Sequence, residues 1–84
     1  MTDTPNQPAP TTLDSLKPGG RGRIAAVTGS GGISRRLLDM GATRGTLVEV
    51  ERVAPLGDPI EVRIRGYHLT LRKGEAERIL VTVV

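Results

Sequence analysis

The sequence predicts a small all-β barrel of about five short strands, with one short helix between the first two strands. Apolar residues alternate with polar ones over several short segments, and turns rich in glycine or proline separate those segments. The chain has 84 residues, which is enough for one hydrophobic core and no more. An open sheet of this size would expose both of its edges, whereas closure into a barrel removes them.

The composition requires a core built from aliphatic side chains. The chain has no Cys, no Phe and no Trp, and its one Tyr is Tyr67. Without cysteine, neither a disulfide nor a thiolate metal site can support the fold. The formal net charge of +3 favours acidic partners slightly and does not by itself indicate nucleic-acid binding.

Residues 1–12 are predicted to be a disordered tail, and residues 13–84 the barrel domain. The tail contains three prolines and, apart from Met1, no large apolar residue, so it cannot bury enough surface to become ordered. It lacks the basic and apolar regions of a secretory signal, and no segment approaches the roughly 20 apolar residues of a membrane span. We therefore expect a cytoplasmic protein that does not insert into a membrane.

One strand and one helix are predicted in the first half of the domain. The strand covers 21–28, with Gly22 where the backbone can bend or another strand can approach closely. The glycine-rich segment 28–32 leads into a helix over 33–40, in which apolar residues recur at helical spacing. Gly41 follows the helix, at the position where a left-handed residue often ends one.

From residue 46 onward the apolar pattern has a period of two, which indicates strands. Turns are predicted over 55–59 and at Gly66, and segment 73–77 interrupts the pattern as a helical turn. Alternate residues of the strands should face the core. This predicted inward face consists of Val48, Val50, Ile60, Val62, Ile64, Leu69, Leu71, Ile79 and Val81.

The order and spacing of five short motifs resemble the FeoA domain family. The motifs are LDSLKPG at 13–19, RLLDMG at 36–41, RGT at 44–46, APLGDPI at 54–60 and LRKGEA at 71–76. The resemblance extends from about residue 13 to residue 84. It implies an SH3-like barrel and a small cytosolic accessory of ferrous-iron uptake, which contacts and regulates the cytosolic domain of a FeoB-type transporter. The resemblance also leaves an alternative: a metal-responsive regulatory barrel like the C-terminal domain of metal-dependent repressors.

Neither a metal site nor a cofactor site is expected. His68 is the only histidine, whereas an open ferrous site typically uses two histidines and a carboxylate. A site made of Glu49, Glu51 and Glu61 is conceivable, but these residues also alternate as an ordinary outer strand face. The glycine-rich segment 29–32 lacks the lysine that a phosphate-binding loop requires.

The sequence also gives little support to nucleic-acid binding or catalysis. The one tyrosine is a poor stacking platform for single strands, so cross-strand pairing with glutamates is the preferred interpretation of the strand arginines. No serine lies in the context of an activated nucleophile, and we expect no enzymatic activity. The arginines concerned are Arg52, Arg63, Arg65 and Arg72.

Two segments are predicted to contact a partner protein. One is the exposed side of the helix, where the charged residues can steer association, and the other is the proline-bounded loop after the second strand. Leu56 at the tip of this loop either forms an apolar anchor for the partner or folds back to cap the barrel. The predicted partner-binding residues are Arg35, Arg36, Pro55, Leu56, Gly57 and Asp58. The oligomeric state does not follow from the sequence.

Overall fold

The computed structural model describes residues 9–29 and 32–84, and within them the chain forms one six-stranded antiparallel sheet. The strands are β1 (Thr11–Thr12), β2 (Arg21–Val27), β3 (Leu47–Val53), β4 (Ile60–Ile64), β5 (Tyr67–Leu71) and β6 (Ile79–Val83). A 3-10 turn, Leu13–Ser15, follows β1. Helix α1 (Gly32–Asp39) lies between β2 and β3 along the chain, and the single helical turn α2 (Lys73–Ala76) lies between β5 and β6.

The strand order in the sheet is β1-β6-β2-β3-β4-β5. The predicted all-β class is confirmed, with the helix in the predicted place between the first two long strands. Within the described residues no ladder joins β5 to β1, so the backbone hydrogen bonds between strands do not run all the way around the barrel. Strands β2 to β6 each contribute buried side chains to one common core.

The predicted boundary of the domain also needs correction. Thr11 and Thr12 belong to the predicted tail, yet they form β1 and pair with Val81 and Leu80 of β6. Composition could not reveal this strand, because a β-ladder is formed by backbone groups and needs no apolar side chain. The remaining prediction of a disordered tail falls largely on residues 1–8, which lie outside the described part of the chain.

The core confirms eight of the nine residues predicted to face inward. Leu69 is only partly buried, because it lies on the edge strand β5, but it packs against the same core. Five further residues complete the buried set: Leu13, Ile24, Leu37, Ala42 and Ala76. They come from the first turn, β2, the two helical segments and the turn after α1, so these segments all pack against one aliphatic core.

Two glycines determine how neighbouring elements are positioned around the core. Gly22 is buried in β2, and an added Cβ would lie 3.0 Å from the Val81 Cβ, so Gly22 stands where β6 approaches β2 closely. Gly41 has a φ of 99° and ends α1, where the Ala42 N–H donates to the Leu37 carbonyl at 3.0 Å. With Leu37 in the core, α1 lies against the barrel.

Neither helix in the described part of the chain combines the length and apolarity that crossing a bilayer demands.

Candidate partner-binding groove

Two adjoining depressions lie between α1, the loop that joins β3 to β4, the end of β5 and α2. The larger has a volume of about 540 Å³ and is lined by Arg36, Asp58, Pro59, Thr70 and Arg72. The smaller has a volume of about 360 Å³ and is lined by Arg36, Arg72, Gly74, Glu75 and Arg78. Because Arg36 and Arg72 line both depressions, the two form one continuous surface feature, called the arginine groove below.

An ion pair between Arg36 and Glu75 connects α1 to α2 across this groove. Arg36 Nη1 donates to Glu75 Oε2 at 3.0 Å, and the Arg72 backbone N–H donates to Glu75 Oε1 at 2.9 Å. The Glu75 side chain is only 9% exposed, whereas that of Arg36 is 63% exposed. The ion pair therefore satisfies a nearly buried carboxylate, while the other donors of the Arg36 guanidinium remain accessible to a ligand.

The side chains of Arg72 and Arg78 form no hydrogen bond or ion pair with the residues that the structure describes. Arg72 is exposed and follows β5 directly. Arg78 is partly buried, and its guanidinium lies against Gly29, where an added Cβ would meet Arg78 Nη1. Together with Arg36, these residues give the groove three guanidinium groups, of which one is engaged by an internal carboxylate.

The loop between β3 and β4 forms one rim of the groove. The Gly57 N–H donates to the Ala54 carbonyl at 2.7 Å, and the bond between Asp58 and Pro59 is cis. Asp58 Oδ1 accepts the backbone N–H of Lys73 at 3.0 Å, which ties the loop to the start of α2. One oxygen of this exposed carboxylate is therefore used within the fold.

Leu56 lies at the tip of this loop and is 93% exposed. Of the two alternatives for this side chain, the structure shows the exposed one, and Leu56 does not fold back onto the barrel. An apolar side chain held in water by a hydrogen-bonded loop is a suitable anchor for a partner. Because the loop is already fixed by its own hydrogen bonds, docking would cost little conformational entropy.

The structure brings together only some of the predicted partner-binding residues. Arg36 and Asp58 both line the groove, and Pro55, Leu56 and Gly57 lie on its rim loop. Arg35 is exposed on α1 and does not line the groove. The sequence interpretation missed Thr70, Gly74, Glu75 and Arg78, and it placed Arg72 with the strand arginines.

The prediction for Arg36 needs a further correction. It was interpreted only as a solvent-facing charge, whereas it also neutralises Glu75. A possible signal was the position of Glu75 three residues after Arg72, which is typical of a carboxylate that caps the first turn of a helix. The pairing with α1 could not be foreseen, since it depends on how the helix packs.

A second charged cluster lies on the outer face of the sheet, with one residue from each of β3, β4 and β5. His68 Nδ1 lies 2.7 Å from Glu51 Oε1, and Arg63 Nη2 donates to Glu51 Oε2 at 2.8 Å. The hydrogen bond from His68, aided by the charges of His68 and Arg63, lowers the pKa of Glu51. Within the described residues, His68 and Glu51 do not belong to any group of three metal-binding side chains.

The cross-strand pairing preferred for the strand arginines holds for Arg63. Arg65 instead donates to the Thr43 hydroxyl at 3.2 Å, in the turn after α1. Arg65 and Gly66 both have positive φ, as in the type I′ turns of β-hairpins. The twist of such a turn matches the right-handed twist of β4 and β5.

Comparison with known proteins relates the whole barrel to one family. The chain is 36% identical, over 72 residues, to the Fe(2+) transport protein A/Fe(2+) transporter FeoB fusion protein of Porphyromonas gingivalis. That match covers 86% of this chain and 8% of the much longer fusion protein. A solution structure of a FeoA-like protein from Clostridium acetobutylicum superimposes with a TM-score of 0.83 at 39% identity, covering 89% of this chain and 87% of that one.

Another similar structure is that of Stenotrophomonas maltophilia FeoA in complex with zinc, described as a prokaryotic SH3 domain protein and a possible ferrous iron transport activating factor. The TM-score is 0.76 at 28% identity, and the match covers 84% of this chain and 88% of that one. This likeness agrees with the SH3-like barrel that the sequence predicted. The profile of the FeoA domain matches residues 11–83, and the chain therefore belongs to the FeoA family, which is associated with ferrous-iron transport.

Proposed function

We propose that this protein is a non-enzymatic accessory of ferrous-iron uptake that binds the cytosolic domain of a FeoB-type transporter. The contact surface is the arginine groove together with the loop that carries Leu56. The observation that carries this proposal is the 93% exposure of Leu56 beside a groove lined by three arginines. The P. gingivalis relative supports the choice of partner, because there a FeoA domain and a FeoB transporter form one chain.

The groove and the loop would contribute differently to binding. Burial of a leucine side chain in a partner stabilises a complex by about 1.5–3 kcal/mol, so Leu56 is the candidate for the affinity-determining anchor. Arginine side chains on the rim mainly raise the association rate and make it depend on salt. Arg35 and Arg36 on α1 would add to this steering. Binding in this manner places the protein in the cytoplasm, where the transporter's cytosolic domain is accessible.

Binding, rather than catalysis, also agrees with the polar side chains outside the groove. Ser34 Oγ lies 3.0 Å from the Thr28 and Gly29 carbonyl oxygens, so its hydroxyl is used within the fold. His68 is engaged by Glu51 on the outer face of the sheet. Neither arrangement resembles a nucleophile activated by an adjacent base.

The test is a calorimetric titration of the transporter's cytosolic domain with the parent protein and with Leu56→Asp, each with and without nucleotide. We expect the parent to bind and Leu56→Asp to bind at least tenfold more weakly, with an unchanged circular dichroism spectrum. Leu47→Asp is the matched control, because Leu47 is also exposed but lies on β3, outside the groove.

The outcomes separate the partner from the surface. If the parent does not bind under any nucleotide condition, the proposed function is wrong. If the parent and Leu56→Asp bind equally well, the partner is correct and the loop is not the contact surface.

A further inference from the structure

We infer that the arginine groove binds an extended acidic segment of the partner, with the backbone of that segment passing over Gly74 and its carboxylates contacting Arg72 and Arg78. This inference rests on the proposed function and adds the chemistry by which the partner is recognised.

The first argument is the balance of charge within the groove. Its two carboxylates both have partners within the fold: Arg36 pairs with Glu75, and the Lys73 N–H donates to one oxygen of Asp58. The guanidinium groups of Arg72 and Arg78 have no such acceptor in the described part of the chain. A guanidinium presents paired donors that match the two oxygens of a carboxylate. The groove lining therefore carries three guanidinium groups against two carboxylates, and this excess of positive charge is complementary to an acidic ligand.

The second argument is the glycine at position 74. Glycine is among the least favourable residues in a helix, yet Gly74 lies within α2. Its φ is not left-handed, and an added Cβ would meet no atom within 4 Å, so the fold itself does not require glycine there. Gly74 lines the smaller depression. Proteins also use glycine where a ligand approaches the backbone closely. Because neither the φ of Gly74 nor its packing requires glycine, we take the approach of a ligand as the reason for glycine at this position.

The third argument is shape, which favours a peptide over a small anion. The groove extends from Asp58 and Pro59, past Arg36 and Arg72, to Gly74 and Arg78. A single phosphate would contact one part of this length, whereas an extended peptide could contact all of it. Pro59, with Leu56 nearby on the loop, adds an apolar surface that suits a side chain of a peptide.

The sharpest test changes Gly74, where the ligand and the fold have opposite requirements. Gly74→Gln should raise the melting temperature slightly, because glutamine is the better helix former, and should weaken binding of the transporter's cytosolic domain at least tenfold. Gly74→Glu, of nearly the same size, should weaken it further, since it adds a negative charge to the groove. Gly32→Gln is the matched control, because an added Cβ at Gly32 also meets no atom within 4 Å and Gly32 lies outside the groove lining.

A second measurement does not depend on that substitution. A short polyglutamate peptide added to the labelled parent protein should shift the backbone amide signals of Arg72, Gly74 and Arg78, and added salt should reverse the shifts. A polyglutamine peptide of the same length should leave these signals unchanged. Arg72→Gln should abolish the shifts, whereas Arg52→Gln, on the exposed side of β3, should not.

Each outcome decides one of the two proposals. If the cytosolic domain binds the parent and Gly74→Gln equally well, the inference is wrong and the proposed function stands. If polyglutamate shifts the groove signals but the cytosolic domain does not bind, the inference stands and the proposed partner is wrong. If inorganic phosphate shifts these signals and polyglutamate does not, the groove is a pocket for small oxyanions and the inference is wrong.

Discussion

The two charged clusters of this barrel, the arginine groove and the Glu51 cluster on the sheet, use similar residues in different ways. In the Glu51 cluster, Arg63 and His68 both donate to one carboxylate, which leaves no guanidinium without an acceptor. In the groove, one carboxylate engages Arg36, and the side chains of Arg72 and Arg78 find no acid among the described residues. A cluster of charges indicates a binding surface only when its internal partners do not use all of its donors.

The clusters also differ in burial, and this difference determines which of them the fold depends on. The Glu75 side chain is 9% exposed and that of Glu51 is 22% exposed. A carboxylate that is nearly buried loses most of its hydration, so its hydrogen bonds have to compensate. An ion pair on an outer strand face exchanges water for another polar contact and contributes little.

The largest expected effect is the loss of Glu75. Glu75→Ala removes the acceptor of both the Arg36 side chain and the Arg72 N–H, and we expect it to destabilise the fold by about 2 kcal/mol. At roughly 4–8 °C per kcal/mol for a domain of this size, the melting temperature should fall by about 10 °C. Glu51→Ala is the control, and thermal denaturation should barely distinguish it from the parent. Equal effects of the two substitutions would remove the distinction between the clusters.

A smaller effect is expected from reversing the charge of Arg36. Arg36→Glu places a second carboxylate beside Glu75, so the protein should lose about 1–2 kcal/mol of stability in urea denaturation. Arg35→Glu, one position earlier on α1, should leave stability within about 0.5 kcal/mol of the parent. The sequence predicted that both arginines lie on the exposed side of the helix, where a charge reversal should not affect folding. A harmless Arg36→Glu would show that the ion pair with Glu75 contributes nothing.

The pH dependence of Glu51 provides the third comparison. The pKa of Glu51 is lower in the folded protein than its ordinary value of 4.5, because His68 donates a hydrogen bond to it and Arg63 adds positive charge. The cluster therefore contributes its stability above pH 4.5 and loses it as the pH falls through the folded pKa. His68→Gln should move the pKa of Glu51 upward toward 4.5 in an NMR titration. An unchanged titration would mean that His68 is not the main cause.

The smallest effect is expected from metal ions. Glu51 already accepts bonds from His68 and Arg63, so micromolar zinc or ferrous ion should change the melting temperature by less than 1 °C or so. A ligand at a hundred times its dissociation constant would add about 2.7 kcal/mol, an effect that thermal denaturation readily detects. A metal-dependent rise that His68→Ala abolishes would show that the Glu51 cluster is a metal site after all.

The residues that the sequence predicted well are those whose position depends only on local geometry. Val48, Val50 and Val62 were assigned to the core from their period of two, and all three are fully buried. Gly41 was assigned to the helix end, and it has the left-handed φ that this position favours. The burial of Leu69 was harder to predict, since it depends on whether another strand lies beside β5 on its outer side.

The groove was predicted only in part, because its residues come from segments that are far apart along the chain. Arg36 and Asp58 were selected for their exposure and not for their proximity, and it is the fold that places them in one groove. Gly74 gave no sequence signal, since a glycine in a turn-rich segment is ordinary. It becomes informative only when the structure shows that its surroundings do not require glycine.

The sequence by itself determined the fold class and the inward face of the barrel. The side chains of a strand alternate between its two faces whatever lies beside it, so a period of two is visible in one dimension. The tertiary structure alone decided which charges are neutralised and which remain available. Arg36 meets Glu75 because the fold brings α1 near α2, whereas Arg72 and Arg78 meet no acid among the residues that the structure describes. These distances depend on packing between segments that no local pattern encodes.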